Sequence, residues 1–222
     1  MPLGQLQVGP QFASPTSVLT ERGDNYAALI VAETQGKYQE WARQGYVYAA
    51  RSGAAAAIPV NTACTNAPTL WNASAGNKIC IPIKLILTCA NIGTQVEDGF
   101  TIMYEANMGT SAYTGGPFPT FTNIPPVSTR IGGGLGPCST QFANAVVTWT
   151  TQPAALFDVG IGQWLSGAAA TGSLYSQLSF DFDGTVVLNP GAAICLAAAT
   201  AASSGTYWTS FIFAELPIVA GY

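Results

Sequence analysis

The chain has 222 residues, of which only 8% are charged; its net charge is −4 and it contains no histidine. That length accommodates one generous domain, alone or with an arm, and leaves no room for a second full domain. Charge this sparse, against roughly 25% in ordinary soluble domains, argues against nucleic-acid binding, which draws on clustered Lys and Arg; it suits a subunit that buries much of its exterior against others, or a secreted β-protein.

Residues 1–57 differ in texture from the rest. Arg22, Lys37, Arg43 and Arg51 concentrate there, but Glu21, Asp24, Glu33 and Glu40 neutralise them. The opening "MPLGQLQVGPQFASPTSVL" has neither a basic start nor a continuous apolar run, so no secretory signal is expected in it. The stretch "LIVAETQGKYQEWARQG" places Tyr38, Trp41 and Ala42 at helical spacing, and Gly36 and Gly45 keep any helix short. The expectation is an extended N-terminal arm or linker over 1–57 that packs onto a neighbour, with Tyr38 and Trp41 as candidate interaction residues. A first strand of the domain is the competing reading.

From residue 58 to 222 the pattern is β. "LWNASAGNKICIPIKLIL" holds an N-x-S triplet, Asn72-Ala73-Ser74, readable as a glycosylation acceptor or simply as a turn. It leads into a long alternation from Ile79 to Cys89, in which Pro82 predicts an edge position or a bulge. The Ile79 series is expected to face an opposite sheet. Further strands are expected in 99–106, 144–151, 174–184, 184–190, 192–200 and 206–218, each β-branched or aromatic and ending at Gly, Pro, Asn or Ser. Glu97-Asp98-Gly99 reads as a turn between two of them. The near absence of a helix signal, together with a long Gly/Pro/Thr-rich connection from Asn107 to Phe142, predicts an all-β, jelly-roll-like antiparallel sandwich. The longest charge-free run, 184–214, is broken by Asn189-Pro190-Gly191 and Ser203-Ser204-Gly205, so no membrane span is expected.

Without histidine, Ser-His-Asp and Cys-His arrangements are excluded, and the chain is not expected to be an enzyme. Five cysteines with no CxxC pair give zinc little to build on; they read as buried thiols, or as one or two disulfides tying Cys64 or Cys138. Asp181 and Asp183 fall on one face of a strand with Phe180 and Phe182 on the other. They form a solvated polar face, a Ca²⁺ site, or, beside Asp158 or Glu215, a glycosidase pair. "RIGGGLGPC" lacks the Lys-Ser or Lys-Thr of a phosphate loop. Tyr104, Tyr113, Phe118 and Phe121 gather in and before the long connection, where the last three are candidates to stack on sugar or to anchor a subunit contact.

Three stretches taken in order, "LWNASAGNKICIPIKLIL", "GTVVLNPGAAICLAAAT" and "WTSFIFAELPIV", resemble β-sandwich structural proteins of tailed bacteriophage virions, among them capsid decoration (cement) proteins and some tail components. The resemblance covers 70–105 and 174–219. It implies a subunit that trimerises, sits on the major capsid protein or other virion subunits, reaches neighbours through its arm, and is assembled in a bacterial cytoplasm with Asn72 bare and its thiols reduced. The expected function is a capsid decoration subunit. The alternatives are a carbohydrate- or receptor-binding module of a phage tail or a secreted lectin-like protein, and a single-jelly-roll capsid protein of a tailless virus.

Overall fold

The computed structural model describes residues 38–74, 77–91, 97–108, 123–132, 138–144, 147, 149, 152–163, 177–199, 201–203 and 205–218. The chain divides into two compact units, Met1–Glu40 and Trp41–Tyr222, of which the second is the β-domain. The only helix among the described residues, α1 (Gln39–Gln44), has six residues; no described helix is long and apolar enough to cross a membrane. It stops for a backbone reason. Gly45 takes a φ of 86°, its N–H donates to the Ala42 carbonyl at 3.0 Å and the Tyr46 N–H donates to Trp41 at 2.9 Å, the double bond of a glycine-terminated Schellman motif.

Ten strands follow: β1 (Val47–Arg51), β2 (Thr69–Asn72), β3 (Lys78–Asn91), β4 (Glu97–Glu105), β5 (Val127–Ser128), β6 (Thr140–Ala143), β7 (Ala154–Gln163), β8 (Gln177–Asp181), β9 (Ala193–Ala198) and β10 (Thr206–Pro217). They form two antiparallel sheets, ordered β5-β1-β10-β3-β8 and β6-β2-β9-β4-β7. Without β5 and β6, both inserted between β4 and β7, two four-stranded sheets remain: β1-β10-β3-β8 and β2-β9-β4-β7. Nearly every connection then crosses from one sheet to the other. This is the eight-stranded jelly roll that the pattern predicts. One boundary moves, because β1 lies inside the 1–57 stretch and is held on both sides, by β10 and β5; the domain therefore begins before residue 58.

The main core lies between the sheets. Phe211 of β10 is fully buried between Phe142 of β6, at 5.9 Å, and Phe182, at 6.4 Å. Leu85 and Leu87, Phe100 and Ile102, and Leu196 fill the layer around them. The two sheets differ on their outer sides. On β10 the buried residues alternate, Tyr207, Thr209, Phe211 and Phe213 facing inward. On β9 all six residues are buried: Ile194, Leu196 and Ala198 join the main core, while Ala193, Cys195 and Ala197 belong to two smaller clusters on the other side. A strand covered on both faces reads as a continuous apolar run, which is why "AICLAA" shows no alternation. The outer cover consists of the turn around Cys64 and Ala67 together with Trp149, which packs against both clusters and donates its indole N–H to the Cys64 carbonyl at 2.9 Å.

Pro82 marks a bulge and not an edge. β3 lies between β10 and β8, and its register against β10 slips where Ile212 pairs with Lys84 but Phe213 with Pro82. The extra residue reverses which side chains point inward. Cys80 reaches the core before the bulge and Leu85, Leu87 and Cys89 after it, so Ile79 and Ile81 do not share a face with the later residues. Two further expectations shift. Glu97, Asp98 and Gly99 are the first residues of β4, paired with Gln163, Gly162 and Ile161, because β7 is long enough to continue the ladder past the expected turn. Residues 184–190 form an extended connection held to β3 only by the Cys80–Leu188 bridge. Most of the expected 144–151 strand lies outside the described residues; of those described, Val147 and Trp149 pack in the covering cluster.

Replacing Phe211 with Ala should cost about 3–5 kcal/mol of stability, because the void opens between two other rings in a close-packed layer. Urea unfolding followed by tryptophan fluorescence measures this, and a loss under about 1 kcal/mol would contradict the central placement of that ring.

Candidate functional site

At one end of the sandwich a carboxylate is buried among donors. Glu215, in the inward phase of β10, is 3% exposed. Its Oε1 receives the Lys78 ammonium at 2.6 Å, and its Oε2 receives the backbone N–H groups of Ser139 and Thr140, both at 2.7 Å, and the Thr140 hydroxyl at 3.0 Å. Lys78 and Glu215 belong to the first sheet and Thr140 to the second, so one side chain joins the two sheets. Asn72 is the second member. It is completely buried, its Nδ2 donates to the carbonyls of Lys78 at 3.0 Å and Leu188 at 2.9 Å, and its Oδ1 accepts the Ser74 N–H at 3.2 Å. The amide nitrogen to which a glycan would be joined is thus spent inside the fold, and the N-x-S triplet works as a structural turn.

Two thiols and a phenol surround this knot. Burial pushes the Cys138 thiol from an ordinary value of 9.0 up to about 12, with repulsion from Glu215 adding to it. Burial also raises Cys80 and Tyr48, again with Glu215 contributing. Cys138 donates its S–H to the Thr140 carbonyl at 3.2 Å. The cluster is built to hold charge in place.

The remaining carboxylates do not converge. Asp181 ends β8 on the outer side of the first sheet, 63% exposed, with its Oδ1 3.2 Å from the ammonium of its cross-strand neighbour Lys84. Asp183 lies past the strand in a tight turn: Asp183 and Gly184 have φ values of 54° and 78°, and the Thr185 N–H closes the turn on the Phe182 carbonyl at 2.9 Å. Positive φ at both central positions is the type I′ signature, for which Asp-Gly is a preferred pair. Asp158 accepts the Thr101 hydroxyl at 2.7 Å on the outer side of the second sheet, so both sheets separate it from Asp181. Among the described residues no group of three or more His, Cys, Asp or Glu side chains is close enough to hold a metal ion.

Two surfaces remain. The outer side of the first sheet carries a cross-strand row of Val127, Ala49 and Ile212 ending in the Lys84–Asp181 pair. Val127 is 66% exposed, and in the next rows Arg51 stacks 4.6 Å above the Trp208 ring. At the rim of the sandwich, a groove of about 310 Å³ runs between the ends of β4 and β9, β7 and the 185–189 connection. Tyr104, Leu156 and Val187 line it, three of the six strongly exposed large apolar side chains among the described residues. Tyr104 is therefore half outside the core. Tyr113, Phe118 and Phe121 lie outside the described residues. Tyr38 is half-buried just before α1, and Trp41, equally half-buried, lies within it.

No family model matches the chain, and no curated protein or solved structure matches it. The fold and surface define it as a jelly-roll β-sandwich protein with an interior closed by a buried ionic knot.

Sequence reasoning missed that knot, since Lys78 and Glu215 are 137 positions apart. A signal was present in "SFIFAELP": Glu215 continues the Phe211, Phe213 phase, and an acid in the inward phase of a closing strand requires buried donors. Glu215→Ala should cost about 3–5 kcal/mol, because Lys78 loses its partner and two N–H groups are orphaned. Glu215→Gln should lose less, and chemical denaturation of the two variants separates the cases; equal losses would show that charge is irrelevant there.

Stability should also fall at high pH. The folded protein keeps Cys138, Cys80 and Tyr48 protonated above the pH at which the unfolded chain releases those protons. Their contribution is complete below pH 9 and is lost as pH rises above it, that of Cys138 through about 12. The unfolding free energy measured between those limits should decline more gently in Cys138→Ala.

Proposed function

We propose that the protein is a structural subunit of a virion, a bacteriophage capsid decoration subunit that reinforces a head through contacts with copies of itself and with the capsid lattice. The observation that carries the reading is a jelly-roll sandwich with few charges, most of them engaged. Of the described cations from β1 onward, Lys78 is held by Glu215, Lys84 pairs with Asp181 and Arg51 lies over Trp208, while Arg130 is exposed after β5. An exterior so poor in uncommitted charge loses little on being desolvated against a neighbour. Burial at about 25 cal/mol per Å² leaves a modest surplus per contact after association entropy, so the strength of such an assembly comes from repetition over a lattice. A trimer is the proposed unit. The strand order favours a second version of the same reading, in which the chain is itself the shell subunit of a tailless virus, because jelly rolls build capsids as well as lectin domains.

Light scattering and electron microscopy of the purified protein, alone and mixed with capsid shells, test this. Trimers that decorate shells support the decoration role, and closed particles formed by the chain alone support the shell role. A monomer at high concentration that binds no shell would overturn both.

A further inference from the structure

Two of the five cysteines share one small buried cluster in a setting that the assembly role leaves unused. Cys195 is in the middle of β9, paired through its backbone with Thr69 of β2 and Met103 of β4, so it is anchored on both sides. Cys64 lies over it in the covering turn, fully buried, in the same small cluster as Cys195, Ala67, Met103 and Ala197. Within that cluster the two thiols lie near enough to act on each other's titration. The Cys64 sulfur also receives the Gln152 amide at 3.7 Å and gives its own hydrogen to the Asn61 carbonyl at 3.2 Å. Cys64 is held at a φ of 38°, in the left-handed region that a non-glycine residue occupies only when its surroundings impose it.

We propose that Cys64 and Cys195 are a redox-active dithiol that closes to a disulfide when the protein meets a small disulfide oxidant such as oxidised glutathione, locking the covering turn onto the second sheet. The proposal concerns the single chain and stands apart from its assembly role. The chemistry is a two-step exchange. The Cys64 thiolate attacks one sulfur of the oxidant, forming a mixed disulfide and displacing one glutathione thiolate. Cys195 then gives up its proton and attacks the Cys64 sulfur, displacing the second glutathione. The two cysteines together lose two electrons and two protons, and the oxidant becomes two thiols.

The environment assigns the roles. The neighbouring Cys195 thiol lowers the Cys64 pKa, and the Gln152 amide helps it against the burial that raises it, whereas Cys195, buried within the sheet, is held protonated until its partner has reacted. Access is through the turn, since Thr62, Ala63, Thr65 and Asn66 on both sides of Cys64 are exposed and its opening frees that one sulfur. Cys80 and Cys138 are a contrasting case: both are pushed up by burial, with the Glu215 charge adding to it, so neither favours the thiolate that exchange requires. Closing a loop of about 130 residues constrains the unfolded chain strongly.

The test uses the whole protein, folded and fully reduced, exposed to oxidised glutathione with circular dichroism monitored throughout. Peptide mapping should find a Cys64–Cys195 cross-link that dithiothreitol reverses, and Tm should rise by at least about 5 °C. Cys195→Ala should instead stop at a glutathione adduct on Cys64, and Cys64→Ala should show neither cross-link nor rise in Tm. Five unmodified thiols in a folded, exposed sample would overturn the proposal, as would a different pair that links first. A Cys64–Cys195 bond that lowers Tm would overturn the locking role.

Discussion

The carboxylate of Glu215 is the constraint around which this sandwich closes. A jelly roll brings strands distant in sequence together at its ends, where sheet hydrogen bonds run out and backbone groups need other partners. Here one side chain on the last strand satisfies two N–H groups and a hydroxyl where the chain enters β6 and binds the lysine that opens β3. Asn72 completes the closure from β2 by capping the carbonyls of Lys78 and Leu188. A buried charge left alone would cost far more than it returns; with four donors around it, it holds both sheets in one register. Burial keeps the neighbouring thiols protonated, and the Glu215 charge adds to it.

The second sheet depends on a different device. Its central strands are covered on both faces, inward by the opposing sheet and outward by the turn at Cys64 and the indole of Trp149. The cover hides Cys64 and Cys195, whereas the outer side of the first sheet carries weakly charged cross-strand rows.

Much of this was legible in the residues. Alternation in "TYWTSFIFAELPI" marked β10 and its inward side, and "AICLAAAT" marked β9, although its uniform burial told nothing about which layer covered which face. Pro82 announced the bulge in β3, but not that the bulge would exchange the inward and outward residues along the strand. Glu97-Asp98-Gly99 misled, since local turn chemistry was overruled by a long pairing with β7. Asp181 and Asp183 looked like a pair because a strand was assumed to run through both; the backbone turns at Asp183, and the pair ends there.

By itself the sequence determined the class of fold, the positions of the principal strands, the scarcity of charge and the absence of histidine chemistry, because these follow from period, composition and turn residues, all of them local. The tertiary structure alone decided that Asn72 is buried, that Lys78 finds Glu215, that Cys64 lies over Cys195, and that β1 belongs to the sheet. Each of those depends on which strands the chain crossings bring side by side, and residues a hundred or more positions apart carry no local trace of meeting.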